Sequence, residues 1–187
     1  WSLEAKTLVE EARHAKVVGI GETGLDQHYG YSDITLQERS FVEHIHAARE
    51  TGLTLVVHTR EADDLTGDIL EREYKHGSFR ILMHCYTSGA RLAQRALDLD
   101  ARFSVSGILS FKGASDVREV MEKVPLERII LETDCPYLAP MPYRGRRNEP
   151  AYLVEVCKAF AAHRGLSFED AARLTTANAI ELFQRAA

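Results

Sequence analysis

"IILETDCPYLAP", residues 129–140, begins as the apolar run of a buried strand and meets two carboxylates, Glu132 and Asp134, before that character has ended. Side chains two apart on a strand point to the same face. The two acids therefore share one side, and Cys135-Pro136 turns the chain away directly after them. A buried strand has reason to finish in paired acids if its end lies in a site.

Working outward, the runs VVGIG (17–21), LTLVV (53–57), FRILM (79–83), ARFSVS (101–106) and RIIL (128–131) read as five strands. Between them the spacing is helical, as in Leu36, Phe41, Ile45 and Ala48 before the stop at Gly52, or Val117, Val120 and Met121 before Pro125. Such βαβα alternation implies a parallel sheet with crossover helices, either doubly wound or closed into a barrel. After a polar loop (135–149) only helices follow. Pro150 is placed to open one, and Ser167-Phe168-Glu169-Asp170 resembles a capping box with Asp in the Glu position.

The 187 residues, 45% of them hydrophobic, suffice for one domain, 1–187, with a sizeable core. A formal charge of -5 argues against a general polyanion-binding surface and confines any nucleic-acid contact to a local site. Cys85, Cys135 and Cys157 lack the paired spacing of a zinc knuckle or disulfide framework, so a reducing, cytoplasmic setting is the expectation. No apolar run approaches a membrane span. The chain opens on Trp1, directly in helical spacing, and a natural N-terminal portion is expected to precede it.

Four of the five strands are followed by metal-ligand residue types: Glu22, His58, His84, and Glu132 with Asp134. Parallel α/β folds gather function at the carboxyl ends of their strands, where residues distant in sequence converge. A single histidine after a strand is more often a bonded core or loop residue than a ligand; four coincident strand ends favour a metal site of mixed imidazole and carboxylate, suited to zinc, manganese, iron or magnesium. His44 and His46, two apart on a helix, read as packing or surface residues, and His14, His76 and His163 fall near helix ends. His28, after Asp26, lies on the functional side. Beyond the fifth strand, Arg144, Arg146, Arg147 and Asn148 form a candidate phosphate clamp, with Lys112 and Ser106 on the same rim.

The segments GETGLD (21–26), VVHTR (56–60), HCY (84–86), SVSGILSFK (104–112), VPLERIILETDCPYLAP (124–140), RGRRNEP (144–150) and TTANAIELF (175–183) together resemble the TatD-related metal-dependent deoxyribonucleases, a branch of the amidohydrolase superfamily. The resemblance implies a TIM-type (β/α)8 barrel carrying two divalent ions (Mg, Mn or Zn). Glu22 would bridge them, His58 and His84 would hold one, and Asp134 the other. The family's first strand carries a histidine-X-histidine pair, and none precedes Glu22 here. The five strands would then be the fourth to eighth, with the first three βα units lacking. The function implied is hydrolysis of DNA phosphodiester bonds by exonucleolytic removal of nucleotides, with single-stranded DNA or DNA ends as the expected substrate, Asp134 as general base and Glu132 supporting it. Rival readings are hydrolysis of another ester or amide, such as a D-aminoacyl-tRNA, and a non-catalytic barrel piece.

Overall fold

In a computed structural model, described over residues 4–186, five strands alternate with helices: α1 (Ala5–Glu11), β1 (Gly19–Asp26), α2 (Ile34–Thr51), β2 (Thr54–Arg60), α3 (Asp63–Tyr74), β3 (Ile81–Met83), α4 (Ala90–Asp98), β4 (Arg102–Val105), α5 (Ser115–Lys123), β5 (Ile129–Leu131), α6 (Leu153–Arg164) and α7 (Phe168–Leu182). The strands form one parallel sheet in the order β1-β2-β3-β4-β5. A doubly wound sheet would reverse direction at a switch point; unbroken consecutive order is the arrangement of a βα barrel. Of the two architectures open to the alternation, the barrel type is the one present, as a five-stranded part.

Local chemistry sets the element ends. Asp33 caps α2 by accepting from the Thr35 amide at 2.8 Å, and Gly52 ends it at φ 68°, a conformation glycine adopts without a Cβ penalty. Ser167 accepts from the Asp170 amide at 3.0 Å and starts α7, as the capping pattern requires. Pro150 opens a 3-10 turn, Pro150–Tyr152, that leads into α6. Phe41, Ile45 and Ala48 are buried as expected, whereas Leu36 is 55% exposed.

Alternation divides each strand between two faces. Leu55, Val57, Ile81, Met83, Phe103, Val105 and Ile129 pack in the main core, with Phe41, Ile45 and Phe160 from the helices. The intervening Val56, Leu82 and Ile130 belong to a second cluster with Ala179, Leu182 and Phe183. α7 lies across the start of the sheet. The Asn178 amide donates to the carbonyls of Leu126 and Ile129 at 2.9 and 2.8 Å, the Thr54 hydroxyl donates to Leu182 O at 2.8 Å, and Arg102 pairs with Glu181 at 2.8 Å. One step further along the inner parity of each strand stand His58, His84, Ser104 and Glu132. The site is thus the upper layer of a face whose lower layer is apolar and closed by α7.

Candidate metal centre

β1 reaches this face only through a bulge. Ile20 pairs with Leu55 and Thr23 with Val57, so Gly21 and Glu22 together stand against Val56. One extra residue inverts the alternation. Ile20 stays in the main core, and Glu22 is turned toward the imidazoles. Beyond the bulge Gly24 pairs with His58, where a Cβ would stand on the His58 carbonyl oxygen. Two expectations are corrected by the strand bounds: Glu22 and His58 lie within β1 and β2, not after them. The other three strands end within a residue or so of where the sequence placed them, and His84 follows β3 directly.

Glu22 is shared between two imidazoles. Its Oε1 lies 3.0 Å from His58 Nδ1, and its Oε2 lies 3.8 Å from His84 Nε2. Each ring is backed by a carboxylate on its other nitrogen: Asp26 Oδ2 at 3.0 Å from His58 Nε2, and Glu132 Oε2 at 3.0 Å from His84 Nδ1. Such partners fix ring orientation and tautomer. Glu132 is itself fully engaged, its Oε1 accepting from the Cys85 amide at 2.7 Å and from the Ser104 hydroxyl.

Asp134 completes the group, with Oδ1 3.5 Å from His84 Nε2. It arrives by a route other than strand alternation, since β5 ends at Leu131 and Asp134 has a left-handed backbone, φ 55°. His84, Glu132 and Asp134 can each offer a donor atom such that all lie within 4.8 Å of one another.

The charges are coupled. The hydrogen bond from His58 outweighs partial burial and, with the charge of His84, holds the Glu22 carboxyl below its ordinary value. His58 is raised chiefly by that same bond, against burial and with help from Asp26. Burial would push His84 down, but the hydrogen bonds of Asp134 and Glu132 and the nearby charges overcome it and raise its pKa to about 10. Burial pushes the adjacent Cys85 thiol up to about 12.

Asp26, Cys85 and Ser104 join this network without being singled out in the sequence; each stands inside a segment that carries the resemblance (GETGLD, HCY and SVSGILSFK), but the contact of Asp26 with His58 depends on the pairing of β1 with β2. Arg144, Arg146, Arg147 and Lys112 are exposed, and the Arg144 guanidinium lies 4.3 Å from the Phe111 ring centroid. Asn148 is elsewhere: it is 2% exposed, its amide donates to Thr133 O and Tyr137 O at 2.7 and 2.6 Å, and its Oδ1 accepts from the Glu149 amide. Its polar atoms are consumed in holding the Asp134 loop. That corrects its reading as a surface phosphate donor. His44 is buried and bonded to Ser40 O, and His46 faces Glu73, in keeping with packing and surface roles. His28 bonds Glu61 at 2.6 Å.

A parallel βα-barrel sheet with histidines and carboxylates converging at its carboxyl end defines a candidate metallohydrolase scaffold. The family model described as TatD related DNase matches residues 2–184, and the chain belongs to that family. It is 38% identical over 175 residues to the uncharacterized metal-dependent hydrolase YabD of Bacillus subtilis (strain 168), covering 94% of this chain and 68% of that protein. It is 41% identical over 167 residues to the uncharacterized metal-dependent hydrolase YcfH of Escherichia coli (strain K12), covering 89% and 63%. Among solved structures, YjjV, a TatD homologue from Escherichia coli K12, superposes with a TM-score of 0.86 at 26% identity over 96% of this chain and 70% of that one. The chain spans about two thirds of the length of these relatives. No helix among the described residues is long and apolar enough to cross a membrane.

Proposed function

We propose that these residues form part of a metal-dependent phosphodiesterase that acts on DNA, removing nucleotides from single-stranded ends in a reducing, cytoplasmic setting. The observation that carries this reading is the Glu22 carboxylate held between two carboxylate-backed imidazoles, with Asp134 at the same His84 nitrogen. The free thiols of Cys85, Cys135 and Cys157 agree with the setting.

The donor set fits divalent cations. His84 Nε2 lies 3.8 and 3.5 Å from oxygens of Glu22 and Asp134, close to the roughly 3–3.5 Å separating two ligands that each bond one ion at about 2.1 Å. Glu22, Asp26, Glu132 and Asp134 set four negative charges against two imidazoles, so neutral ligand histidines would leave a formal charge matching two divalent ions. His58, His84, Glu22 and Asp134 would hold them. Divalent ions there would polarise a phosphoryl oxygen and make water a better nucleophile at neutral pH.

The chain's own residues do the rest. Asp134 Oδ1 accepts the proton of the attacking water, and Glu132 keeps the His84 ring in place so that Nε2 remains directed at the site. Arg144, Arg146 and Arg147, on the loop that leaves the same sheet end, bind substrate phosphates with Lys112. The test compares turnover by the metal-loaded protein of an end-labelled oligonucleotide with turnover of an aminoacyl ester. Stepwise release of nucleotides supports the proposal; faster turnover of the ester, with no nucleotide released, overturns it.

A further inference from the structure

The loop between β1 and α2 carries two tyrosines stacked on each other, Tyr29 and Tyr31, with ring centroids 5.1 Å apart and planes 3° from parallel. Neither is core: they are 53% and 88% exposed. Tyr29 is hemmed in, with the Arg60 guanidinium 4.8 Å from its centroid and the His28 ring edge-on at 4.8 Å. Tyr31 meets only Tyr29 among the aromatic pairs of the described residues, so the stack ends in a ring open to water. The protein's other parallel tyrosine stack, Tyr143 with Tyr152 at 4.0 Å, is made of half-buried rings that brace the arginine loop.

The loop is also fixed in place. Asp26 Oδ1 accepts from the amides of His28 and Tyr29 at 2.9 and 3.3 Å, while its Oδ2 bonds His58. Gln37 grips both ends of the turn, accepting from Asp26 N at 2.7 Å and donating to Asp26 O and Ser32 O at 3.0 Å. One carboxylate thus ties the stack to the imidazole of the metal centre, and the ordering cost of presenting the rings is met before any ligand arrives.

We infer that Tyr29 and Tyr31, flanked by Arg60, are a stacking platform for an unpaired nucleobase beside the metal centre, so that the site engages a polynucleotide as a single strand. The inference rests on the phosphodiester reading above. A tyrosine face takes any base without regard to sequence, and Arg beside it adds attraction for the base and for phosphate. Base pairs inside a duplex present only their edges, because their faces are already stacked. The platform therefore selects frayed ends and single strands by a surface that phosphate-binding arginines do not provide.

The test uses two fluorescent 12-mers with cleavage-resistant phosphorothioate links, one of thymidines and one abasic throughout, titrated in magnesium. The wild-type protein should bind the thymidine strand more tightly. Tyr31→Ala disturbs nothing in the core, and should lower affinity for that strand by about 5- to 150-fold, leaving the abasic strand unaffected; Tyr31→Phe should restore the loss. Equal wild-type affinity for the two probes, or an unaltered Tyr31→Ala titration, overturns the platform and leaves the phosphodiester reading standing. Binding of neither probe overturns both.

Discussion

Asp134 occupies the left-handed region just beyond a strand, with Cys135-Pro136 turning the chain behind it and Asn148 fastening the turn from the far side. Its oxygen is held toward His84 by the backbone, so Asp134→Asn keeps shape while removing a charge and a proton acceptor. Turnover by that variant at saturating metal should fall roughly 10²- to 10⁴-fold; near-normal turnover would defeat the assignment of Asp134 as the base. His84 gives a pH dependence of known sign. Its pKa is raised to about 10 in the metal-free protein, against roughly 6.5 in an unfolded chain. The stability it contributes is fully present below the unfolded value and is lost as pH rises through the folded one. Melting temperatures in a chelator should therefore decline from neutral pH toward 10, and His84→Gln should flatten the decline. A metal ion replaces that proton, so metal affinity should climb over the same interval with proton release on binding. Calorimetry in buffers of different ionisation enthalpy would show no proton release if the ring were already neutral.

At the level of elements, the loop from Cys135 to Glu149 separates two kinds of residue that the sequence presented as one cluster. Asn148 is a strut, whereas the three arginines face water. Replacing Arg144, Arg146 and Arg147 by glutamine should weaken oligonucleotide binding and reduce its dependence on salt, because a phosphate that no longer meets a guanidinium keeps its condensed counterions. An unchanged slope would return them to a solvated surface. Much of the arrangement is legible in the sequence, since short apolar runs locate five strands, helical stripes locate the helices between them, and the ligand types at the strand ends mark the face. Glu22 shows where that legibility stops. By simple alternation from Ile20 it belongs with the core, and only the bulge at Gly21 and Glu22 turns it inward. A bulge leaves no trace in polarity, although Gly21 at φ 143° and Gly24 against His58 are its residue-level conditions. Asp26 is hidden for a related reason, because only the register of β1 on β2 brings it to His58.

Across the whole molecule, β1 pairs only with β2, and β5 only with β4, among the described residues. Two open edges of a parallel sheet expose unpaired backbone groups that recruit other strands. An apolar hollow lined by Leu153, Val154, Phe168 and Ile180 lies beside β5. These 187 residues on their own should associate as concentration rises; sedimentation as a monomer at high micromolar concentration would refute this. α7, which rests on the starting ends of β2, β4 and β5, carries a consequence for the protein's synthesis. The strands leave the ribosome long before the helix that closes them, so a nascent chain can form the βα units in order but cannot seal the apolar layer beneath the site until α7 has emerged. A force-sensitive arrest assay on chains of increasing length should record the main folding event only once Asn178 and Leu182 have cleared the exit, and an earlier event of equal size would show that the site assembles without its floor.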